Sequence, residues 1–175
     1  IAKANSAHDW AGDTGIYIDA PSSEYLMSYD RPHDLTLSIY SKLPLGINAG
    51  ITAFYQSGPP YTPLIFNGRD PQSDVKNPNS KRQSPFRNVN LLFTKAFKYY
   101  GLTVNMGLNI QNVFNIINEL DIWPLTGTAD EPGEYYTDKV GLPDAEHDKP
   151  SSYYDRPWMY YSPRQMNFYI RIDFK

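Results

Sequence analysis

The chain contains no cysteine, which excludes disulfide frameworks and thiolate metal centres. It has no apolar run approaching the roughly 20 residues of a membrane-spanning helix. Positive charge is not in excess. The net charge is −3 and the pI about 5.5, so no basic field for nucleic acid exists. No Gly-x-Ser-x-Gly, phosphate-binding loop or His-Glu-x-x-His occurs, and no enzymatic constellation is legible. The three histidines, His8, His33 and His147, each precede an aspartate (Asp9, Asp34, Asp148) and carry no further signature. The chain begins at Ile1 with neither an initiator Met nor a signal sequence, as expected of a processed or partial polypeptide.

What is abundant is aromatic residues, 15% of the chain, with 15 Tyr, 8 Phe and 3 Trp. Mean hydropathy is negative, −0.55. That average does not exclude a membrane, because polar lumen-facing residues and hydrated loops dilute the apolar face of a barrel.

Side-chain character switches at every second residue in five stretches, 35–43, 47–57, 88–99, 102–113 and 164–174. In the first, Leu35, Leu37, Ile39 and Leu43 alternate with Thr36, Ser38, Tyr40 and Lys42. The second sets Ile47, Ala49, Ile51, Ala53 and Tyr55 against Asn48, Gly50, Thr52, Phe54 and Gln56. The third carries Val89, Leu91, Phe93, Phe97 and Tyr99 opposite Asn88, Asn90, Thr94 and Lys98. The fourth sets Leu102, Val104, Met106, Leu108 and Ile110 against Thr103, Asn105, Gly107, Asn109 and Gln111. The last sets Met166, Phe168, Ile170, Ile172 and Phe174 against Gln165, Asn167, Tyr169, Arg171 and Asp173. Such period-two patterns predict strands. They exceed the roughly 5–6 residues usual in globular sheets and match the roughly 9–11 of a tilted spanning strand.

Short links, Pro44-Leu45-Gly46 and Tyr100-Gly101, alternate with long ones at 58–87 and 114–163. Short turns at one end and long loops at the other predict part of a transmembrane β-barrel. The expected fold is therefore all-β, an antiparallel meander of five long transmembrane strands belonging to a larger outer-membrane barrel. Residues 1–33 read as an extracellular loop and 34–175 as strands with two long extracellular loops. At 109–118 the spacing of Ile110, Val113, Phe114 and Ile117 offers a short helix beyond Val113 as a competing reading, while the strand reading holds up to about Gln111, where alternation from Leu102 is unbroken. Five strands cannot close a barrel, which needs about eight. An open sheet in lipid leaves unpaired edge amides, so further strands are required as partners.

On this reading the lipid-facing residues are Leu37, Ile39, Ile51, Val89, Leu91, Phe93, Val104, Met106, Leu108, Phe168, Ile170 and Ile172. Tyr55, Phe97, Tyr99, Trp158, Tyr160 and Phe174 form interfacial girdles, where amphipathic rings sit among head groups. The final loop is crowded with Tyr135, Tyr136, Tyr153, Tyr154, Trp158, Tyr160 and Tyr161. Girdle and loop packing are favoured for them over ligand stacking. Candidate loop ligand contacts are Tyr61, Arg69, Arg82, Tyr153 and Trp158. The cations Arg69, Lys76, Lys81, Arg82 and Arg87 suit an anionic ligand or lipopolysaccharide phosphate, with a solvated loop as the blander reading. No cofactor is expected. The acidic stretch Asp130, Glu131, Glu134, Asp138, Asp144, Glu146 and Asp148 offers oxygens for Ca²⁺, but its spacing is not that of an EF-hand loop. Tyr-Asp-Arg-Pro occurs at 29–32 and again at 154–157, each before a strand, too short an echo to be a repeat.

Several motifs occur in a telling order: Asp30-Arg31-Pro32-His33-Asp34-Leu35, then Phe54-Tyr55-Gln56-Ser57-Gly58-Pro59-Pro60-Tyr61-Thr62-Pro63. Next come Asn88-Val89-Asn90-Leu91-Leu92-Phe93-Thr94-Lys95-Ala96-Phe97 and Asn109-Ile110-Gln111-Asn112-Val113-Phe114-Asn115. The chain closes on Pro163-Arg164-Gln165-Met166-Asn167-Phe168-Tyr169-Ile170-Arg171-Ile172-Asp173-Phe174. Over about Ser28 to Lys175 the chain resembles the C-terminal end of TonB-dependent outer-membrane receptors. The resemblance implies a 22-stranded barrel, of which these are the last five strands, in the outer membrane of a Gram-negative-type bacterium. It also implies an N-terminal plug, absent from this sequence, through which the TonB energy-coupling complex acts as partner. Iron chelates, cobalamin, glycans and peptides are the cargo such receptors import. Phe174 is penultimate and Lys175 last, a departure from the terminal aromatic of many such barrels.

Three functions compete at this point. One is a receptor importing a scarce or large nutrient, another a barrel anchoring a surface complex. The third is a soluble β-sandwich binding carbohydrate, which shows the same alternation but favours shorter strands and loops.

Overall fold

In the computed structural model, the described residues are 24–66, 68, 70–136 and 156–174, together with the backbone of Lys3–Ala4. Among the described residues eleven strands are present: β1 (Lys3–Ala4), β2 (Tyr25–Leu26), β3 (Asp34–Leu43), β4 (Ile47–Gln56), β5 (Pro60–Tyr61), β6 (Leu64–Phe66), β7 (Pro71–Ser73), β8 (Lys81–Arg82), β9 (Phe86–Tyr99), β10 (Leu102–Gln111) and β11 (Gln165–Phe174). The fold is all-β. Strands β11-β10-β9-β4-β3 form one five-stranded sheet, and every pairing in it is antiparallel.

The chain divides into two compact units. The sheet unit is Asp34–Gln56, Phe86–Ile117 and Ser162–Lys175, and the loop unit comes from Ile1–His33, Ser57–Pro85 and Asn118–Tyr161. The described residues 24–33, 57–66, 70–85, 118–136 and 156–161 thus cluster as one body.

Both short links are turns made by left-handed residues. Leu45 and Gly46 have φ of 64° and 70°, and Tyr100 and Gly101 have φ of 44° and 82°. Two successive positive φ values match the twist of a tight hairpin, and glycine takes the second one without a Cβ penalty. The Tyr99 and Tyr100 rings meet edge to face, centroids 4.5 Å apart.

The register puts all five alternating patterns in phase. One row across the sheet joins Ile39, Ile51, Leu91, Ile110 and Met166, and the next joins Phe93, Leu108 and Phe168. On the opposite face Tyr40, Gly50, Leu92, Asn109 and Asn167 share a row, as do Lys42, Asn48, Thr94, Gly107 and Tyr169. A slip of one residue in any strand would exchange its faces, so five patterns in phase fix the register.

Strands β3, β4, β10 and β11 are each 10 residues long, and β9 between the two hairpins has 14. The extra length of β9 carries a stagger. Lys95 lies level with Ile47 beside the first turn, whereas β9 continues to Tyr99 before the second. At the other end Phe86 pairs with Gln56, while β10 already stops at Gln111, beyond Ile110 opposite Leu91. The sheet is a sheared parallelogram, the shape that tilted strands of a barrel wall require.

β10 ends at Gln111, where the unbroken alternation from Leu102 stops, and no helix forms over 112–118. Asn112 takes φ 53°, and its side chain closes a turn on Ile116: Nδ2 donates to Ile116 O at 2.9 Å, and Oδ1 accepts from Ile116 N at 2.8 Å. An asparagine that satisfies the backbone in this way competes with continued strand or helix.

Two glycines on the polar face lie beneath tyrosine rings of the edge strands. A Cβ at Gly50 would stand 2.8 Å from the Tyr40 ring, and one at Gly107 would run into the Tyr169 ring. A ring laid over a cross-strand glycine restores the packing that glycine lacks. A double-mutant cycle of Gly107→Ala and Tyr169→Ala, read by denaturant unfolding, is expected to show coupling of about 0.5–1 kcal/mol. Additive effects would mean that the ring does not cover the glycine.

Among the described residues of the sheet unit only Gly50, Gly107 and Asn112 are buried. The buried apolar residues, Ile122, Ala129, Met159 and Tyr160, all belong to the loop unit.

Candidate functional site

The most distinctive surface is the apolar face of the sheet. Leu37, Ile39, Phe168, Ile170 and Ile172 are 57%, 55%, 60%, 55% and 48% exposed. The other expected lipid-facing residues, Ile51, Val89, Leu91, Phe93, Val104, Met106 and Leu108, share this face by register and none is buried. Exposed apolar patches larger than a few hundred Å² mark contact with a partner or a membrane.

The face has different chemistry at its two ends. At the turn end lie Phe97, Tyr99, Leu102 and Phe174, paired in successive rows. At the other end Leu35, Tyr55 and Arg87 share a row. Sequence reading passed over one residue here: Lys95 sits on the apolar face between Ile47 and Met106. Its ammonium lies 4.8 Å from the centroid of the Phe97 ring, toward the turn. A lysine stem that covers apolar surface while its head reaches past it is snorkelling.

The opposite face is hydrated in character. It holds a shallow open depression of about 350 Å³, to which Tyr40, Lys42, Asn48, Gly50, Leu92 and Thr94 contribute. Ser38 Oγ meets Thr52 Oγ1 at 3.3 Å, Gln56 donates to Asp34 at 2.8 Å, and Asn105 donates to Asp173 at 2.9 Å.

Among the described residues, the loop unit is held by several polar staples. Arg82 donates through Nη1 to Asp30 O at 2.9 Å and Gly58 O at 3.1 Å, and through Nη2 to the Asp30 carboxylate. The Asp30 side chain is only 2% exposed, so this guanidinium is its counter-charge. Asn79, at φ 54°, donates to Leu26 O at 2.6 Å, and its N–H reaches Thr62 Oγ1 at 2.9 Å. Arg156 is buried; its Cζ stands 5.6 Å from the Trp123 ring centroid and its Nη1 donates to Asp130 O at 3.3 Å.

This placement revises several sequence expectations. Arg82, a candidate ligand contact, is committed to Asp30 and Gly58. Tyr160, expected in the outer girdle, is buried at 7% exposure with Ala129 and Met159. Its backbone bridges Glu119. Trp158 is exposed. Tyr61 is half-buried with its hydroxyl against Gly127. Burial first, then the Glu119 carboxylate, holds its phenol above the ordinary value of 10.0. Arg69 and Tyr153 lie outside the described residues, as do Asp138, Asp144, Glu146 and Asp148 of the proposed Ca²⁺ stretch. Among the described residues no group of three or more His, Cys, Asp or Glu could hold a metal ion.

The described loop aromatics mainly pack on one another. Phe66–Tyr135, Tyr135–Tyr136 and Tyr136–Trp123 have centroids 6.1, 5.3 and 5.4 Å apart. Tyr135 donates to Asp70 Oδ1 at 3.0 Å, and chiefly that bond raises its pKa above 10.0. Sequence reasoning missed Glu119, whose Oε1 accepts from Ala129 N at 2.9 Å and pins the 119–129 turn. No spacing rule signals a contact of this kind.

No protein-family model, curated protein or solved structure matches the chain. The functional reading therefore stands on the geometry and on the sequence motifs.

Proposed function

We propose that the five-stranded sheet is a section of the wall of an outer-membrane β-barrel of the TonB-dependent receptor type. Such a protein imports a nutrient too large or too scarce for open pores, and this segment supplies wall and outer loops. The observation that carries the reading is the sheet itself. Ten-residue strands in a sheared array hold one continuous apolar face exposed and one polar face opposite. Lipid is the solvent that accepts the first and an aqueous lumen the second. A soluble sandwich would cover the apolar face with a second sheet about 10 Å away. Receptor type rests on the motif order between Asp30 and Phe174.

The reading requires partners for both outer strands. Every residue of β3 and of β11 is exposed, and each strand is bonded on one side only. In lipid each unpaired backbone group costs several kcal/mol, so additional strands pair with both edges. Hydrogen exchange on the protein assembled in its membrane tests this. The outward amides of β3 and β11 are expected to be as protected as those of β4 and β10. Rapid exchange at those edges would refute closure.

A further inference from the structure

We draw no further inference here: the strongest candidate, the open depression on the polar face of the sheet beside Tyr40, Lys42, Asn48 and Thr94, carries nothing because nothing in the structure shows what covers it.

Discussion

Leu108→Arg is expected to abolish membrane assembly. Leu108 pairs with Phe93 on one side and Phe168 on the other, in the row midway along β9 between Arg87 and Tyr99. On the barrel reading that row lies near the bilayer midplane, where an arginine on the lipid face costs about 2–4 kcal/mol. The cost should fall with depth. Leu102→Arg, beside the Tyr100–Gly101 turn, is expected to cost about 0–1 kcal/mol because its guanidinium reaches the interface. Asn109→Arg, one residue away on the polar face, is expected to assemble normally. The fraction of folded protein in the outer membrane reports all three variants. A core buried under protein would give no gradient from Leu108 to Leu102, and that outcome would count against lipid contact.

Arg82→Met is the second large effect, and it is confined to the loop unit. Removing the guanidinium takes this charged partner from the Asp30 carboxylate, which is 2% exposed. It also frees the carbonyls of Asp30 and Gly58. Breaking a buried pair by deleting one partner costs about 3–5 kcal/mol. The lower end is expected here, because the Arg82 side chain is 31% exposed and solvent already screens part of the interaction. Limited proteolysis should cut within 57–85 in the variant and leave wild type intact, while the sheet stays assembled. Replacing both partners, Asp30→Leu with Arg82→Met, is expected to recover much of the loss. Unchanged cleavage in Arg82→Met would show that the clamp does not hold the loop unit together.

The sheet was legible in the sequence because its information is local. Each strand from β3 to β11 in the sheet announces its apolar and polar sets by alternation, and two tight links mark the hairpins. The end of β10 at Gln111 was legible too, because alternation stops there, but the turn that Asn112 closes after it was not. Lys95 was passed over because a cation on an apolar face breaks the alternation, although its snorkelling contact with Phe97 explains it. The stagger carried by β9 is a relation between strands, and no single strand encodes it.

The loop unit was the opposite case. Asp30 and Arg82 meet across 52 positions, and nothing around either residue predicts the other. The small pairings β5–β8 and β6–β7 are too short for periodicity, and β7 begins with a proline. Counting tyrosines in the final loop could not tell Trp158, which faces outward, from Tyr160, which packs inward. That difference lies in tertiary packing, since Tyr160 clusters with Ala129, a residue far away in sequence.

The absence of cysteine makes one measurement especially direct. Single cysteines placed along β10, in protein assembled in vesicles, report the surroundings of each face in turn. Positions 103, 105 and 109 are expected to react with a water-soluble maleimide. A fluorophore at 104, 106 or 108 is expected to be quenched by brominated acyl chains, most strongly at 108. The account is contradicted if the even positions react from water as readily as the odd ones, or if brominated lipid leaves them unchanged.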